Sequence, residues 1–468
     1  MNSLFLQRPS LKEIKLFIPL AILLAFFAIS LNDYILYVFC LFVMLFLFSV
    51  FGERFIIVFV IVTLLTLVGD VSPSLRTVVH IVDFSLLGVL FLKRFGLEWS
   101  KYPKVPKILV YFLLLYYSAM LISSIMSDYP SAGISLILRQ SAFFVIIYIL
   151  FALIKDFKDI KTYFLAFIIA TCILASSSVV FFVMNGFTLL NLQTGNRATI
   201  FSLISNPNNV TNFYIISFPI ILSAILLKKK TSDQIISWFL LFFFSLGLFL
   251  TMSRTAVLAV VLGVLIFLFI LRKKLLIKFA LILVTILLLF IVIDPIRDFI
   301  SILFRIESGL TGRDLLWASS FQIIRDNPVF GLGLGAYQYE IFNYFPAMLN
   351  TWTGDWLVEL YKMTNGKNIS HSIILMFFSD MGVLGLLTVL SLPVIYFKIG
   401  FNTLSNFKNS QPWKYYFIVA LFTAGATMFL RGIVDDIGLL SYGVISADLP
   451  FWLVFISLIH FWNSKNNT

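Results

Sequence analysis

The chain has 468 residues, a net charge of +12 and a mean hydropathy of +1.02, with 60% hydrophobic and only 12% charged residues. Soluble proteins have an apolar share of about 45–50%, so this composition excludes an ordinary soluble enzyme and indicates an integral membrane protein. Apolar runs of roughly 17–25 residues, long enough to cross a hydrocarbon core of about 30 Å as helices, recur along the whole chain.

Hydropathy and run length predict an all-α polytopic membrane protein of about fourteen transmembrane helices in a single domain, residues 1–468. The first run, 14–31, follows basic residues as a signal peptide does, but its length and its lack of a clear cleavage site predict a retained helix. Two long polar connections interrupt the pattern, residues 185–209 and 294–371, and the second is expected to be partly helical, between helices 11 and 12. The predicted helices start near Ile14, Tyr34, Phe55, Thr77, Pro106, Ile134, Thr162, Val210, Gln234, Thr255, Leu275, Ser372, Lys414 and Tyr442.

The distribution of charge predicts the topology. If the N-terminus is inside and each helix crosses once, most of the 34 Lys and Arg residues lie on one side, which is typical of the cytoplasmic face. Both long connections then lie outside. The net positive charge of the chain therefore reflects its topology rather than nucleic-acid binding. The remaining basic residues are mainly arginines: Arg76, Arg139, Arg197, Arg254, Arg297, Arg305, Arg313, Arg325 and Arg431.

Arginine has a planar guanidinium that binds phosphate through two-point contacts, which a lysine cannot make. The outer surface is therefore predicted to hold particular anions; the alternative is that its arginines pair with nearby carboxylates.

Arg254 lies where predicted helix 9 gives way to helix 10. An arginine at membrane depth costs about 2.5–3.5 kcal/mol and usually faces a polar cavity or partner, although an arginine at a helix end can also extend to the interface.

Arg313 precedes a predicted helix, 314–324, in the second long connection. The helix is expected to end before Asn327-Pro328 because proline cannot continue it. Arginine at a helix N-terminus is unfavourable unless an anion shares the site. The segment GLGLG, 331–335, lacks the features of a dinucleotide fingerprint and predicts a tight turn, with the aromatic segment 336–345 along the membrane interface. The apolar positions expected on one face of the helix are Leu315, Leu316, Ala318, Phe321 and Ile324.

Of the three histidines, His80 and His460 fall within predicted helices and are interpreted as structural. His371 ends the second long connection, on the same predicted side as Arg254 and Arg313, because even numbers of crossings separate them. A single histidine is more often structural, but this position favours a functional role. No Cys/His cluster has metal-ligand spacing and no Asp-x-Asp pair occurs, so we expect chemistry that is independent of metal.

Four segments together resemble the bacterial O-antigen ligase and polymerase superfamily of membrane glycosyltransferases, over residues 197–385. The segment 312–337 carries the most specific match. The matching sequences are GNRATIFSLISNPNNVTNFY, TMSRTAVLAV, GRDLLWASSFQIIRDNPVFGLGLGAY, and a histidine followed by a helix with SDMGVLG.

The resemblance implies transfer of a glycan from undecaprenyl pyrophosphate to an acceptor at the periplasmic face of the bacterial inner membrane, without a cofactor. It implies that Arg197, Arg254 and Arg313 hold the pyrophosphate and that His371 acts on the acceptor. Asp380 lies near the GVLG turn and receives no role. The implied partners are the lipid-linked donor, a glycan or lipid A core acceptor, membrane lipid and, further, a chain-length regulator and a flippase.

Alternatives remain at this point. Within the superfamily the chain could polymerise repeat units, ligate finished polysaccharide to lipid A core or glycosylate proteins. A polymerase is favoured by the number of helices, by an outer loop of intermediate length and by the lack of a visible soluble domain. A polysaccharide flippase or transporter is the alternative from another class, although the long outer loop bearing His371 favours an enzyme. A transporter would use ionisable groups within the membrane, namely Asp83, Arg139, Asp435, Asp436 and Asp448.

Overall fold

The computed structural model describes residues 52–66, 73–184, 207–227, 231–295, 297–298, 301, 313–344 and 370–466. These residues are predominantly helical and include no strand. The helices are α1 (Glu53–Thr66), α2 (Pro73–Phe95), α3 (Lys107–Ile125), α4 (Pro130–Leu153), α5 (Phe157–Met184), α6 (Pro207–Leu226), α7 (Thr231–Leu250), α8 (Arg254–Leu271), α9 (Lys273–Val292), α10 (Arg313–Asp326), α11 (Tyr337–Glu340), α12 (Ile373–Phe407), α13 (Pro412–Gly432) and α14 (Ile445–Asn466). Short 3₁₀ helices cover Trp99–Lys101 and Ile341–Tyr344.

Ten helices in the described ranges, α3–α9 and α12–α14, are long and apolar enough to cross a membrane. The prediction of an all-α polytopic membrane protein is therefore confirmed. The predicted starts from Phe55 onward all lie close to observed helices. Those near Ile14 and Tyr34 lie outside the described residues, so the total of about fourteen helices and the single domain stay predictions.

The core of the bundle is α14, which packs against α1, α4, α5, α6, α12 and α13. Its membrane-length window is 89% buried. In contrast, α9 is apolar but has no buried residue, which is the expected state of a helix whose side chains face lipid. We call the end where α3 ends and α4, α8 and α12 begin the site end of the bundle, and the opposite end the far end.

Helix α12 is broken at Gly382, where φ is 58° and ψ is −149°, a backbone conformation open essentially only to glycine. The glycine-rich segment 331–335 packs against this break. It satisfies backbone carbonyls that the break would leave unpaired in a membrane. Two N–H groups of the segment donate to α12, Leu332 to the Ser379 carbonyl at 2.8 Å and Gly333 to the Asp380 carbonyl at 3.0 Å.

The buried side chain of Asp380 holds this junction together. Its Oδ1 accepts the Tyr337 N–H at 3.1 Å and its Oδ2 accepts the Tyr442 hydroxyl at 2.7 Å, while its carbonyl accepts the Ser123 hydroxyl at 2.6 Å. Asp380 is 1% exposed. It therefore joins α12 to α3, to the start of α11 and to the connection before α14, a role that the sequence did not reveal.

Asp380→Asn is expected to lower stability by about 1.5–3 kcal/mol, the usual contribution of a hydrogen bond to a charged group. The amide has only one acceptor oxygen, so either the Tyr337 N–H or the Tyr442 hydroxyl loses its partner. Thermal unfolding of the purified protein in detergent measures the effect. Asp233→Asn, in the exposed first turn of α7, is the matched control, and equal unfolding temperatures for the two variants would contradict this role.

Helix α10 begins and ends as predicted, but its buried face differs. The buried positions are Leu315, Leu316, Ser319, Ser320 and Ile323. Of the apolar positions expected on one face, Phe321 is 62% exposed and Ala318 is exposed, so the buried face includes serines in their place. The reason is Tyr337, which bonds to Ser320 at 2.9 Å and donates to the Leu316 carbonyl at 3.1 Å. Tyr337 is 2% exposed, so it packs within the protein, while the position of segment 336–345 along the membrane interface stays a prediction.

Candidate functional site

Three of the predicted site residues lie together at the site end of the bundle. Arg254 is the first residue of α8, Arg313 is the first residue of α10, and His371 directly precedes the N-cap of α12. The guanidinium of Arg313 is within electrostatic range of both Arg254 and His371. The fourth predicted residue, Arg197, lies outside the described residues.

His371 occupies a constrained position. Its φ is +51°, in the left-handed region, which is uncommon for a non-glycine residue and costs of the order of 1–3 kcal/mol. The flanking serines stabilise this turn, since the Ser370 hydroxyl donates to the Ser372 carbonyl at 2.8 Å and the Ser372 hydroxyl accepts the Leu375 N–H at 3.5 Å. Strain of this kind often accompanies functional sites.

The imidazole of His371 faces the carboxyl group of Asp436. Nδ1 lies 4.0 Å from Oδ1 of Asp436, and the two side chains are 24% and 2% exposed. Among the described residues, neither Nδ1 nor either carboxyl oxygen of Asp436 has a hydrogen-bond partner. Since buried polar atoms are normally paired, these atoms point to a water or substrate group at this position. The other ring nitrogen, Nε2, is then available to a substrate.

Behind Asp436 lies a fully buried ion pair. Arg431 contacts Asp435 at 2.8 Å, and both side chains are 0% exposed. Arg431 also donates to the Asn208 carbonyl at 2.8 Å and to the side chain of Asn212. These contacts fix the connection between α13 and α14 against α6, and so position Asp436 beside His371.

The charges around His371 set its protonation. Burial lowers the pKa of His371, the negative charge of Asp435 raises it, and the positive charge of Arg313 lowers it, with a net pKa below the usual 6.5. Burial and the charge of Asp435 raise the pKa of Asp436 to about 7, against a smaller lowering by Arg313. A neutral imidazole near pH 7 can accept a proton.

The ligand atoms of His371, Asp435 and Asp436 lie within 4.8 Å of one another and could hold a metal ion. One imidazole and two carboxylates are a suitable donor set for a divalent ion. However, Arg431 already pairs with Asp435, and the charge of Arg313 reaches both His371 and Asp436. These positive charges disfavour a cation, so we retain the prediction of a metal-independent site.

Treatment with EDTA is expected to leave the rate of transfer unchanged, because arginines supply the positive charge that a cation would otherwise provide. The measurement compares purified protein before and after dialysis against the chelator. Loss of activity that added Mg²⁺, Mn²⁺ or Zn²⁺ restores would instead place a metal on His371, Asp435 and Asp436.

A cavity of about 310 Å³ extends from Asp436 into the bundle; its wall is mainly apolar, and we call it the polar cavity for the charged and polar side chains that also line it. Its polar lining includes Arg139 of α4, Gln338 of α11 and Ser441 of the connection before α14. Arg139 is held by a 2.5 Å hydrogen bond from its Nε to the Tyr442 carbonyl. Cavities that bind small molecules begin at about this volume, so this one is large enough for a sugar unit.

Among the ionisable residues considered for a transporter, Asp83 lies apart from the other four. Asp436 and Arg139 line the polar cavity, while Asp435 pairs with Arg431. Asp448 accepts the hydroxyl of Ser441, which also lines the cavity, and lies within electrostatic range of Arg139. Asp83 instead accepts the Thr63 hydroxyl between α1 and α2. The signal that identifies Asp435 and Asp436 was present in the sequence, because adjacent carboxylates beside an apolar helix are costly and usually functional.

The fold and these residues define a polytopic membrane protein with an arginine-, histidine- and carboxylate-bearing site at one end of its helix bundle. Residues 239–390 match the family model described as O-antigen ligase, and this segment contains Arg254, Arg313 and His371. This match supports the resemblance of the chain's motifs to the O-antigen ligase and polymerase superfamily. No curated protein matches the chain.

Proposed function

We propose that the chain is a membrane glycosyltransferase that moves a glycan from undecaprenyl pyrophosphate to an acceptor sugar at the periplasmic face of the bacterial inner membrane, as an O-antigen or capsular polysaccharide polymerase. The observation that carries the proposal is the convergence of Arg254, Arg313 and His371 next to the polar cavity. The superfamily match supports this class of reaction.

The two arginines suit a pyrophosphate ligand. Arg254 and Arg313 each begin a helix, where positive partial charge already accumulates, and their guanidinium groups repel each other. An anion bound between the two arginines offsets both their mutual repulsion and the unfavourable position of a positive charge at a helix N-terminus. A pyrophosphate presents several oxygens to planar guanidinium donors, and Arg197 is predicted to add a third. No nucleotide sugar or ATP is supplied outside the cytoplasm, so a sugar already activated on a lipid is the suitable donor.

His371 is the proposed general base. The acceptor hydroxyl oxygen attacks the anomeric carbon of the donor, its proton passes to the imidazole, and the bond from that carbon to the pyrophosphate oxygen breaks. The leaving pyrophosphate takes the electron pair, and Arg254 and Arg313 stabilise its negative charge. Asp436, next to Nδ1, stabilises the imidazolium that forms. The acceptor sugar occupies the cavity beside Asp436, where Arg139 and Gln338 can bind its hydroxyl groups.

Transfer by the purified protein tests the proposal. In detergent, without any ion gradient, the protein is expected to lengthen a lipid-linked oligosaccharide, since the donor's pyrophosphate bond drives the reaction. Gel electrophoresis and mass spectrometry detect the product. Absence of transfer, together with gradient-dependent movement of the lipid-linked glycan across proteoliposomes, would favour the transporter instead.

An O-antigen ligase is the second candidate, because the family model that matches residues 239–390 carries that description. A ligase would transfer finished polysaccharide to lipid A core through the same chemistry. The glycans that accumulate after deletion of the gene separate the two. Single lipid-linked repeat units indicate a polymerase, and long lipid-linked polymers indicate a ligase.

Asp435→Asn is expected to move the acidic limb of the pH–rate profile to lower pH. The charge of Asp435 raises the pKa of both His371 and Asp436, so its removal lowers both. A base with a lower pKa stays unprotonated, and hence active, at lower pH. The apparent pKa of this limb belongs to His371 and Asp436 together rather than to either residue alone. Asn can still accept a hydrogen bond from Arg431, and Asp233→Asn is the surface control; a limb that stays in place or moves to higher pH would contradict the role of Asp435.

A further inference from the structure

Two cavities lie side by side at the far end of the bundle, away from His371. The larger has a volume of about 870 Å³ and is lined by Lys104, Lys107, Lys398 and His460, among others. The smaller has a volume of about 220 Å³. Both are lined by Val105, Pro106 and Phe151, so the two cavities adjoin and we treat them as two compartments of one site.

The smaller compartment is an apolar slot between α3, α4 and α14. No charged residue lines it, and its walls are aliphatic and aromatic. The segment that carries Val105 and Pro106, which lines both compartments, is fixed to α4, because the Tyr148 hydroxyl donates to the Pro103 carbonyl at 3.1 Å. The slot residues beyond the shared ones are Leu109, Phe112, Leu113, Phe144, Ile147, Tyr148, Trp452, Ile456 and Ile459.

The larger compartment is positively charged. Lys104, Lys107 and Lys398 are exposed, and none of the described residues that line the compartment is acidic. Helix α3 begins here at Lys107 with Pro106 as its N-cap and no side-chain cap. Its first N–H groups therefore add positive partial charge on the same side as the lysines.

We propose that the adjoining compartments bind one anionic phospholipid from the membrane leaflet at the far end. The lysines and the N-terminus of α3 hold its phosphate, and an acyl chain enters the slot. Basic pockets between transmembrane helices are suited to anionic head groups, and the adjoining slot requires a ligand with a hydrocarbon tail. The inference rests on residues outside the His371 site and does not depend on the proposed reaction.

Lipid titration of the full-length protein tests this site. In uncharged detergent, dioleoyl phosphatidylglycerol is expected to bind with one tight equivalent in native mass spectra and to raise the unfolding temperature, as a ligand of the folded state does. Dioleoyl phosphatidylcholine, with the same chains, is expected to do neither. Equal effects of the two lipids would overturn the proposal, as would an equal rise with inorganic phosphate alone, which would indicate an anion site without a lipid.

Two variants locate the binding. Changing Lys104, Lys107 and Lys398 together to glutamine is expected to weaken phosphatidylglycerol binding by about fivefold per lysine near an anionic surface. Leu113→Trp, which fills the slot, is expected to remove the tight equivalent while leaving the lysines in place. The matched control changes Lys273, Lys274 and Lys278, exposed at the start of α9 at the same end. Equal affinity of the control and both site variants would overturn the proposal.

Discussion

His371→Ala is expected to abolish glycan transfer, with a loss of about 10²–10⁴ in rate, the usual contribution of a positioned general base. Binding of the lipid-linked donor is expected to stay near wild type, because Arg254 and Arg313 provide that affinity. Single-turnover transfer and donor binding, measured on the same preparation, separate the two quantities. Loss of donor binding in this variant would place His371 on the pyrophosphate instead.

Two further substitutions test proton transfer separately from shape. His371→Gln can form a hydrogen bond but cannot take a proton at neutral pH, so it is expected to be nearly as inactive as alanine. His371→Asn controls for the backbone, since asparagine tolerates the left-handed φ of +51° better than most residues. Near wild-type activity in the glutamine variant would make His371 a positioning residue. His80→Gln in α2 is the control for an unrelated histidine.

The features that the sequence predicts are those set by local chemistry. Apolar length alone places the described membrane helices, because a lipid-spanning helix needs little beyond about 20 apolar residues. The proline after Asn327 marks the end of α10. Counting crossings brings Arg254, Arg313 and His371 to one end of the bundle, since this argument needs only even numbers of spans.

The features that the sequence does not predict depend on distant packing. Asp380 accepts a hydrogen bond from Ser123, which is 257 residues earlier, and no periodicity reports such a pairing. In the same way, Tyr337 packs against the face of α10 that bears Ser320, so that face is buried and Phe321 is left exposed. From the sequence, Asp435 and Asp436 are considered only as groups that a transporter would use, and the structure is needed to place Asp436 against His371.

Neither Arg254→Lys nor Arg313→Lys is expected to restore function. Arg313 already uses Nη1 to donate to the Val434 carbonyl at 2.7 Å, which leaves its other nitrogens for the substrate. A lysine carries its charge and its donors on one nitrogen and lacks the planar fork of arginine, so it cannot reproduce the two-point contact with pyrophosphate proposed for both residues. Loss of one hydrogen bond to a charged group costs about 1.5–3 kcal/mol, so kcat/KM for the lipid-linked donor is expected to fall about 10- to 100-fold.

The matched control for these variants is Arg325→Lys, which lies in the exposed last turn of the same helix as Arg313 and is expected to leave activity unchanged. Adding Arg313→Gln separates charge from geometry, because glutamine keeps a hydrogen-bond donor for the Val434 carbonyl but loses the charge. If two-point binding of pyrophosphate operates, the lysine and glutamine variants both lose donor affinity while the Arg325 variant retains it. Wild-type polymer from both lysine variants at matched protein levels would instead mean that Arg254 and Arg313 act as simple charges that pair with nearby carboxylates.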